Sequence, residues 1–198
     1  MEEKNISEQE SLQIISEMIQ KAKPNYHTNG ISAIMWGTTI AICGLVSFAQ
    51  LYWNFRIGFD IWYLTIVALI PQVIMSVRNR RNRKVVTYIE SSLNAVWTVY
   101  VISIFALVFY LNVAGVVSHY NALFLLIYTI PTLATGLICN YKPMIFGAIL
   151  CYLFFVLACY TSLTYGLLLN GLAGIFNWLI PGIILRRKMS GKKMEFNV

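Results

Sequence analysis

Charge is scarce in this chain, and over long stretches it is absent. Only 12% of the 198 residues are charged, against 58% hydrophobic. Soluble domains carry about twice that charged fraction. No Asp, Glu, Lys or Arg lies in the middle of any long apolar run. Proton-coupled transporters, ion pumps and voltage sensors usually need such groups within the membrane. Histidine is nearly missing as well, with His27 and His119 far apart in the chain. Neither Ser–His nor Cys–His chemistry has a second group placed to orient it. The four cysteines, Cys43, Cys139, Cys151 and Cys159, all sit inside apolar runs without C-x-x-C spacing. A zinc or redox centre is therefore not expected, and each thiol reads as a small hydrophobe. No apolar segment or small-residue cleavage site occurs within residues 1–30, so a cleavable signal is not expected either. These absences leave no catalytic constellation, metal site or cofactor to propose. The expectation is a protein that is not an enzyme.

What the chain has instead is hydrophobic length. Six apolar runs fall near 31–52, 60–77, 93–112, 119–139, 143–161 and 164–185. Each approaches the ~20 helical residues that cross ~30 Å of hydrocarbon. The connections are short, which makes neighbours antiparallel and leaves no room for a second domain. The fold expected is an all-α polytopic membrane protein with six transmembrane helices. A cytoplasmic segment (1–30) precedes the membrane domain (31–186), and a basic tail (187–198) follows.

The few charges set the orientation. Fourteen of the fifteen Lys and Arg residues lie on one side of a six-span arrangement, and Arg56 alone lies on the other. Positive residues stay inside, so both termini are expected in the cytoplasm. Tyr52, Trp53, Trp62, Tyr63, Tyr110, Tyr120, Tyr160 and Tyr165 flank the outer loops, where interfacial aromatics belong. The cluster Arg78, Arg80, Arg81, Arg83 and Lys84 is the topogenic signal and a candidate contact for anionic lipid headgroups. This one-sided placement explains the net charge of +7 without invoking nucleic acid.

Residues 7–23 read as a short amphipathic helix. Ser7 and Glu10 form a capping-box pair, and Pro24 ends the segment. Leu12, Ile15, Met18 and Ile19 form an apolar stripe. Its polar face is mixed to acidic, whereas helices lying on a membrane usually carry a basic one. The stripe is thus expected to pack on the bundle or to bind a cytoplasmic partner or a second copy.

Within the spans, three prolines each follow an isoleucine: Pro71, Pro131 and Pro181. They lie 35, 34 and 35 residues after Trp36, Trp97 and Phe146. This spacing suggests three parallel two-helix hairpins, each ending in a proline-bearing helix. Each proline frees a carbonyl four residues earlier, namely that of Val67, Ile127 or Asn177. Those carbonyls either find a Ser or Thr partner or line a shared cavity. Thr132 and Thr135 are placed to serve the backbone near Pro131. On the last helix, Asn170, Gly174, Asn177 and Pro181 share one face. Two amides do not belong against lipid, so that face should point inward. It either bonds to neighbouring helices or contacts a ligand. Ala33, Gly37 and Gly44 mark a close helix–helix contact on the first span.

The stretch Ser7-Glu8-Gln9-Glu10-Ser11-Leu12-Gln13-Ile14-Ile15-Ser16-Glu17-Met18-Ile19, followed by Trp36-Gly37, resembles the start of a group of small uncharacterised bacterial membrane proteins. The resemblance implies a bacterial cytoplasmic membrane and carries no activity or functional residue. The functional expectation is a non-enzymatic sensor or regulatory membrane protein. The alternative is a small transporter or channel for an uncharged or lipid-like molecule.

Overall fold

The computed structural model describes residues 30–82, 88–115 and 119–195. All its elements are helices: α1 (Ile31–Tyr52), α2 (Tyr63–Asn82), α3 (Tyr88–Ala114), α4 (Tyr120–Ile138) and α5 (Lys142–Ala158). α6 (Leu163–Ala173), a π-helical turn (Gly174–Leu179) and α7 (Ile180–Glu195) then run on as one continuous helix. Four helices are long and apolar enough to cross a membrane: Ile31–Tyr52, Tyr88–Ala114, Tyr120–Ile138 and Leu163–Ser190. The apolar part of α2 and the 17-residue α5 are shorter. At ~1.5 Å per residue, 17 residues reach ~25 Å, somewhat less than the hydrocarbon thickness.

Helix boundaries follow local chemistry. α2 begins at Tyr63 rather than 60 because the Asp60 carboxylate accepts the Trp62 N–H at 3.0 Å and residues 61–62 turn ahead of the helix. α3 starts early, at Tyr88, with Glu90 in its first turn, where the helix dipole favours a carboxylate. α7 runs past the expected boundary at residue 186, since no proline stops it. The amphipathic segment with Leu12, Ile15, Met18 and Ile19 lies outside the described residues, as do Arg83 and Lys84.

The centre of the bundle is built from α1, α4, α5 and the α6–α7 helix; α2 lies along α1, and α3 lies along α4. Buried Ile40, Leu125, Tyr128, Cys151, Ala173 and Trp178 form the core. Leu93 is the buried side chain of α3, whose outer face carries Val99, Ile102, Phe105, Phe109 and Val113, 63–71% exposed. Only acyl chains solvate such a face cheaply.

α1 and the α6–α7 helix are antiparallel and touch backbone to backbone. Gly30 meets Gly182, Gly37 meets Gly174, and Gly44 meets Gly171. A methyl group on Gly37 would lie 2.8 Å from the Gly174 carbonyl oxygen, and one on Gly44 would lie 2.6 Å from the Gly171 Cα. Neither site has room for a side chain. The half-buried Ala33 lies one turn before Gly37 on α1.

The turn between α4 and α5 is a Schellman motif. Tyr141 N–H donates to the Gly136 carbonyl at 2.8 Å and Asn140 N–H to that of Leu137 at 3.2 Å. Asn140 takes a left-handed φ of 49°, which asparagine tolerates better than most residues. Asn140→Gly should leave stability within about 0.5 kcal/mol, whereas Asn140→Val should cost about 1–2 kcal/mol. Unfolding in mixed detergent micelles measures both. Equal stability of the two variants would contradict the assignment.

Candidate functional site

The buried amides gather along a seam between α4 and the α6–α7 helix. At the end nearer the start of α4, Asn170 is 1% exposed and Asn121 is 3% exposed. The Asn170 amide donates to Asn121 Oδ1 (3.2 Å), to the Asn121 carbonyl (3.4 Å) and to the Gly166 carbonyl (3.3 Å). Asn121 Nδ2 in turn donates to the Leu163 carbonyl at 3.4 Å. A side chain at Gly166 would meet Asn121 Nδ2 at 3.0 Å, so the glycine is what admits this contact.

Midway along the seam, Thr132 gathers three bonds on one hydroxyl. It donates to the Tyr128 carbonyl at 3.0 Å and accepts from Asn177 Nδ2 at 3.1 Å and Trp178 Nε1 at 2.9 Å. Asn177 Nδ2 also donates to the Tyr128 carbonyl, at 3.2 Å. A carbonyl accepts only, so this contact fixes which way the Asn177 amide faces. Aromatic rings close the region: Tyr128 lies 5.0 Å from Trp178, and Tyr100 of α3 lies 6.3 Å from it.

The end near Pro181 is tied by Tyr141, whose hydroxyl donates to the Pro181 carbonyl at 2.8 Å. Burial pushes the Tyr141 phenol pKa up, so it remains a donor at neutral pH.

Between Asn170 and Pro181 lies the π-helical turn. Ile180 N–H donates to the Ile175 carbonyl, five residues back. Pro181 has no N–H to offer the preceding turn. π-turns inside α-helices often mark functional positions, and this one carries Gly174 and Asn177.

The sequence-derived candidates therefore divide. Asn170 and Asn177 are buried at the seam, Gly174 is buried against α1, and Pro131 and Pro181 are buried on α4 and α7. Pro71 is not among them. It lies exposed on α2, whose packed face toward α1 carries Ala68 and Gln72 instead. A residue next to Gln72 points about 100° away from it. The three prolines thus have different surroundings. Near Pro131, Thr132 serves the Tyr128 carbonyl and Thr129 that of Leu125. Thr135 Oγ1 has no partner among the described residues, and neither do Thr161 Oγ1, Asn170 Oδ1 and Asn177 Oδ1. Arg78 and Arg81 are exposed at the end of α2; nothing is described for the side chain of Arg80.

Asn121, Tyr128, Trp178 and Tyr141 were not anticipated as partners. Asn121 had a signal, an amide within an apolar run. The role of Trp178 had none, because it depends on the π register. Among the described residues no group of three His, Cys, Asp or Glu could hold a metal, and the cysteines are free. Amides and hydroxyls at a helix interface can recognise another helix or a neutral polar group. No family model matches the chain, and comparison with curated proteins and with solved structures gives no match.

Thr132→Val and Asn177→Leu provide a test of the seam. Their double-mutant cycle should return a coupling of about 0.6–2 kcal/mol, the usual worth of an interhelical hydrogen bond in a membrane. Strictly additive effects would show that the two side chains do not bond.

Proposed function

We propose that this chain is a non-enzymatic sensor or regulatory protein of a bacterial cytoplasmic membrane. It crosses the bilayer six times, with both termini in the cytoplasm. The observation that carries this reading is how the interior amides are used. Asn170 and Asn177 donate to Asn121, Tyr128 and Thr132 of the adjoining helix, so they serve assembly of the bundle. Recognition then falls to the cytoplasmic ends, and above all to the apolar stripe Leu12, Ile15, Met18 and Ile19 in the segment before α1. The partner would be a cytoplasmic protein or a second copy of this chain. The Ser7–Ile19 stretch and Trp36-Gly37 support a bacterial source through the resemblance noted above.

Six crossings fit the six helices if α2 and α5 cross as well, with the bilayer thinning slightly around the shorter α5. The spans then form three hairpins: α1–α2, α3–α4, and α5 with the α6–α7 helix. The hairpins are not equivalent, since Pro71 is exposed while Pro131 and Pro181 are buried. The basic residues 78–84 and 186–188 support the inward orientation.

A second reading, a path for a small uncharged or lipid-like molecule, draws on the unpartnered polar atoms of Asn170, Asn177, Thr135 and Thr161. Flux of a small uncharged solute into vesicles reconstituted with the purified protein tests it, and flux no faster than in protein-free vesicles would end it.

Two measurements test the proposal. Thiol-specific labelling of single cysteines placed at 56, 82, 117 and 190 should mark 56 and 117 from outside and 82 and 190 from inside. Labelling of 190 from outside would end the six-span reading. Deleting residues 1–23 should abolish partner co-purification while leaving membrane insertion intact. Undiminished co-purification would end the sensor reading.

A further inference from the structure

The start of α1 lies in a corner between two basic helix ends. On one side, Gly30 packs on Gly182, and a methyl group on Gly30 would come within 3.3 Å of the Arg186 backbone nitrogen. On the other, Ser32 Oγ donates to Gln72 Oε1, and Trp36 Nε1 reaches the same oxygen at 3.3 Å. Arg78 and Arg81 follow Gln72 on α2 by six and nine residues, or about 9 and 14 Å along the helix. Exposed Arg78 and Arg186 thus stand beside the point where the chain enters α1, while Arg81, about 180° round α2 from Gln72, and Arg187 lie on faces turned away from it. The α1 N-terminus itself lacks a side-chain cap and has no acidic residue in its first turn, so its dipole adds to the positive field. Asp60 lies at the far end of α2, and Glu90, in the first turn of α3, has a contact of its own.

Positive-inside topology requires basic residues on one side of the membrane. It does not require Arg78 and Arg186 to lie beside the same helix start. The segment that leaves this corner carries the complementary charge. Residues 1–29 contain Glu2, Glu3, Glu8, Glu10 and Glu17 against Lys4, Lys21 and Lys23. Glu3, Glu10 and Glu17 recur every seven residues, which keeps them on one helical face. Lys21 shares that face, one turn beyond Glu17. The stripe of Leu12, Ile15 and Ile19 lies on the opposite side of such a helix. Six residues, 24–29, join this helix to Gly30 and span at most about 20 Å, so it cannot leave the vicinity of the corner.

We infer that residues 7–23 dock on the bundle's own basic corner through the Glu10–Glu17 face, against Arg78 and Arg186. Docked this way, the segment holds its apolar stripe outward, available to a partner. The inference rests on the reading of that stripe as the partner-binding element and says how it is presented. Exposed ion pairs are individually weak, and several acting together are sensitive to salt. Tethering offsets this weakness by keeping the effective concentration of the segment high.

Hydrogen exchange of the purified full-length protein in zwitterionic nanodiscs, with no partner present, tests the docking. Backbone amides within 7–23 should exchange about tenfold more slowly at low salt than at 1 M salt, the combined effect of a few exposed pairs. Arg78→Glu with Arg186→Glu should remove the protection, and adding Glu10→Lys with Glu17→Lys should restore it. Protection that persists through salt and charge reversal would mean that the stripe is buried in lipid or in the bundle, and would overturn the inference. Absence of protection in the unaltered protein would overturn it too. Repetition in anionic nanodiscs asks whether lipid headgroups take the corner instead, and loss of protection there would overturn the inference for the native membrane. None of these outcomes depends on capturing a partner, so the docking and the sensor reading fail separately.

Discussion

Two helices approach to backbone contact only where neither side offers a side chain, and α1 meets the α6–α7 helix in this way at three levels. The glycines of α1 are seven residues apart: Gly30, Gly37 and Gly44. Their partners are not evenly spaced, for Gly174 and Gly182 are eight residues apart. In an unbroken α-helix, eight residues would leave Gly182 about 80° out of line with Gly174, whereas seven would leave it about 20° out. The π-helical turn between them takes up the surplus residue. It brings both glycines to the face that α1 requires, so its presence follows from a mismatch in spacing between two packed helices. Membrane helices gain little from burying apolar surface against one another, because lipid is equally apolar. Close packing and interhelical hydrogen bonds must hold them together, and the glycine contacts make the close packing possible.

The polar seam follows from the same geometry. With α1 fixed against one side of the α6–α7 helix, Asn170, Asn177 and Trp178 face α4. There they meet Asn121, Tyr128 and Thr132. A side chain at Gly147 would strike the backbone of Asn177 at 3.1 Å, so α5 is also held close to the π-helical turn. The elements outside this centre, α2 and α3, keep most of their apolar side chains for lipid. The inner part of the molecule is thus specified by small and polar residues, and its outer part by hydrophobicity alone.

That division explains what could be read from the sequence. Hydropathy located the helices, since lipid exposure needs only apolar length, and α1 spans the expected 31–52. The inward face of the last helix was legible because Asn170 and Asn177 have no acceptable place against lipid. The contact surface of α1 was legible in Gly37 and Gly44. The partners of these residues were hidden, because which helix lies opposite depends on long-range packing. The position of Pro71 was hidden for a similar reason: α2 touches the bundle along one face, and hydropathy around an apolar helix does not say which face that is. The π-helical turn could have been suspected only by comparing the seven-residue spacing on α1 with the eight-residue spacing opposite it.

The central claim is that the π-helical turn exists to reconcile those two spacings, and a single-residue deletion tests it directly. Removing Ile175 should convert the turn to α-helix while leaving Gly182 opposite Gly30. The purified protein should then remain monodisperse in detergent, with a melting temperature close to that of the unaltered chain. Removing Leu168, in the regular part of the same helix, should instead rotate Gly166 and the start of α6 away from α4 and cause aggregation. Equal damage from the two deletions would contradict the account.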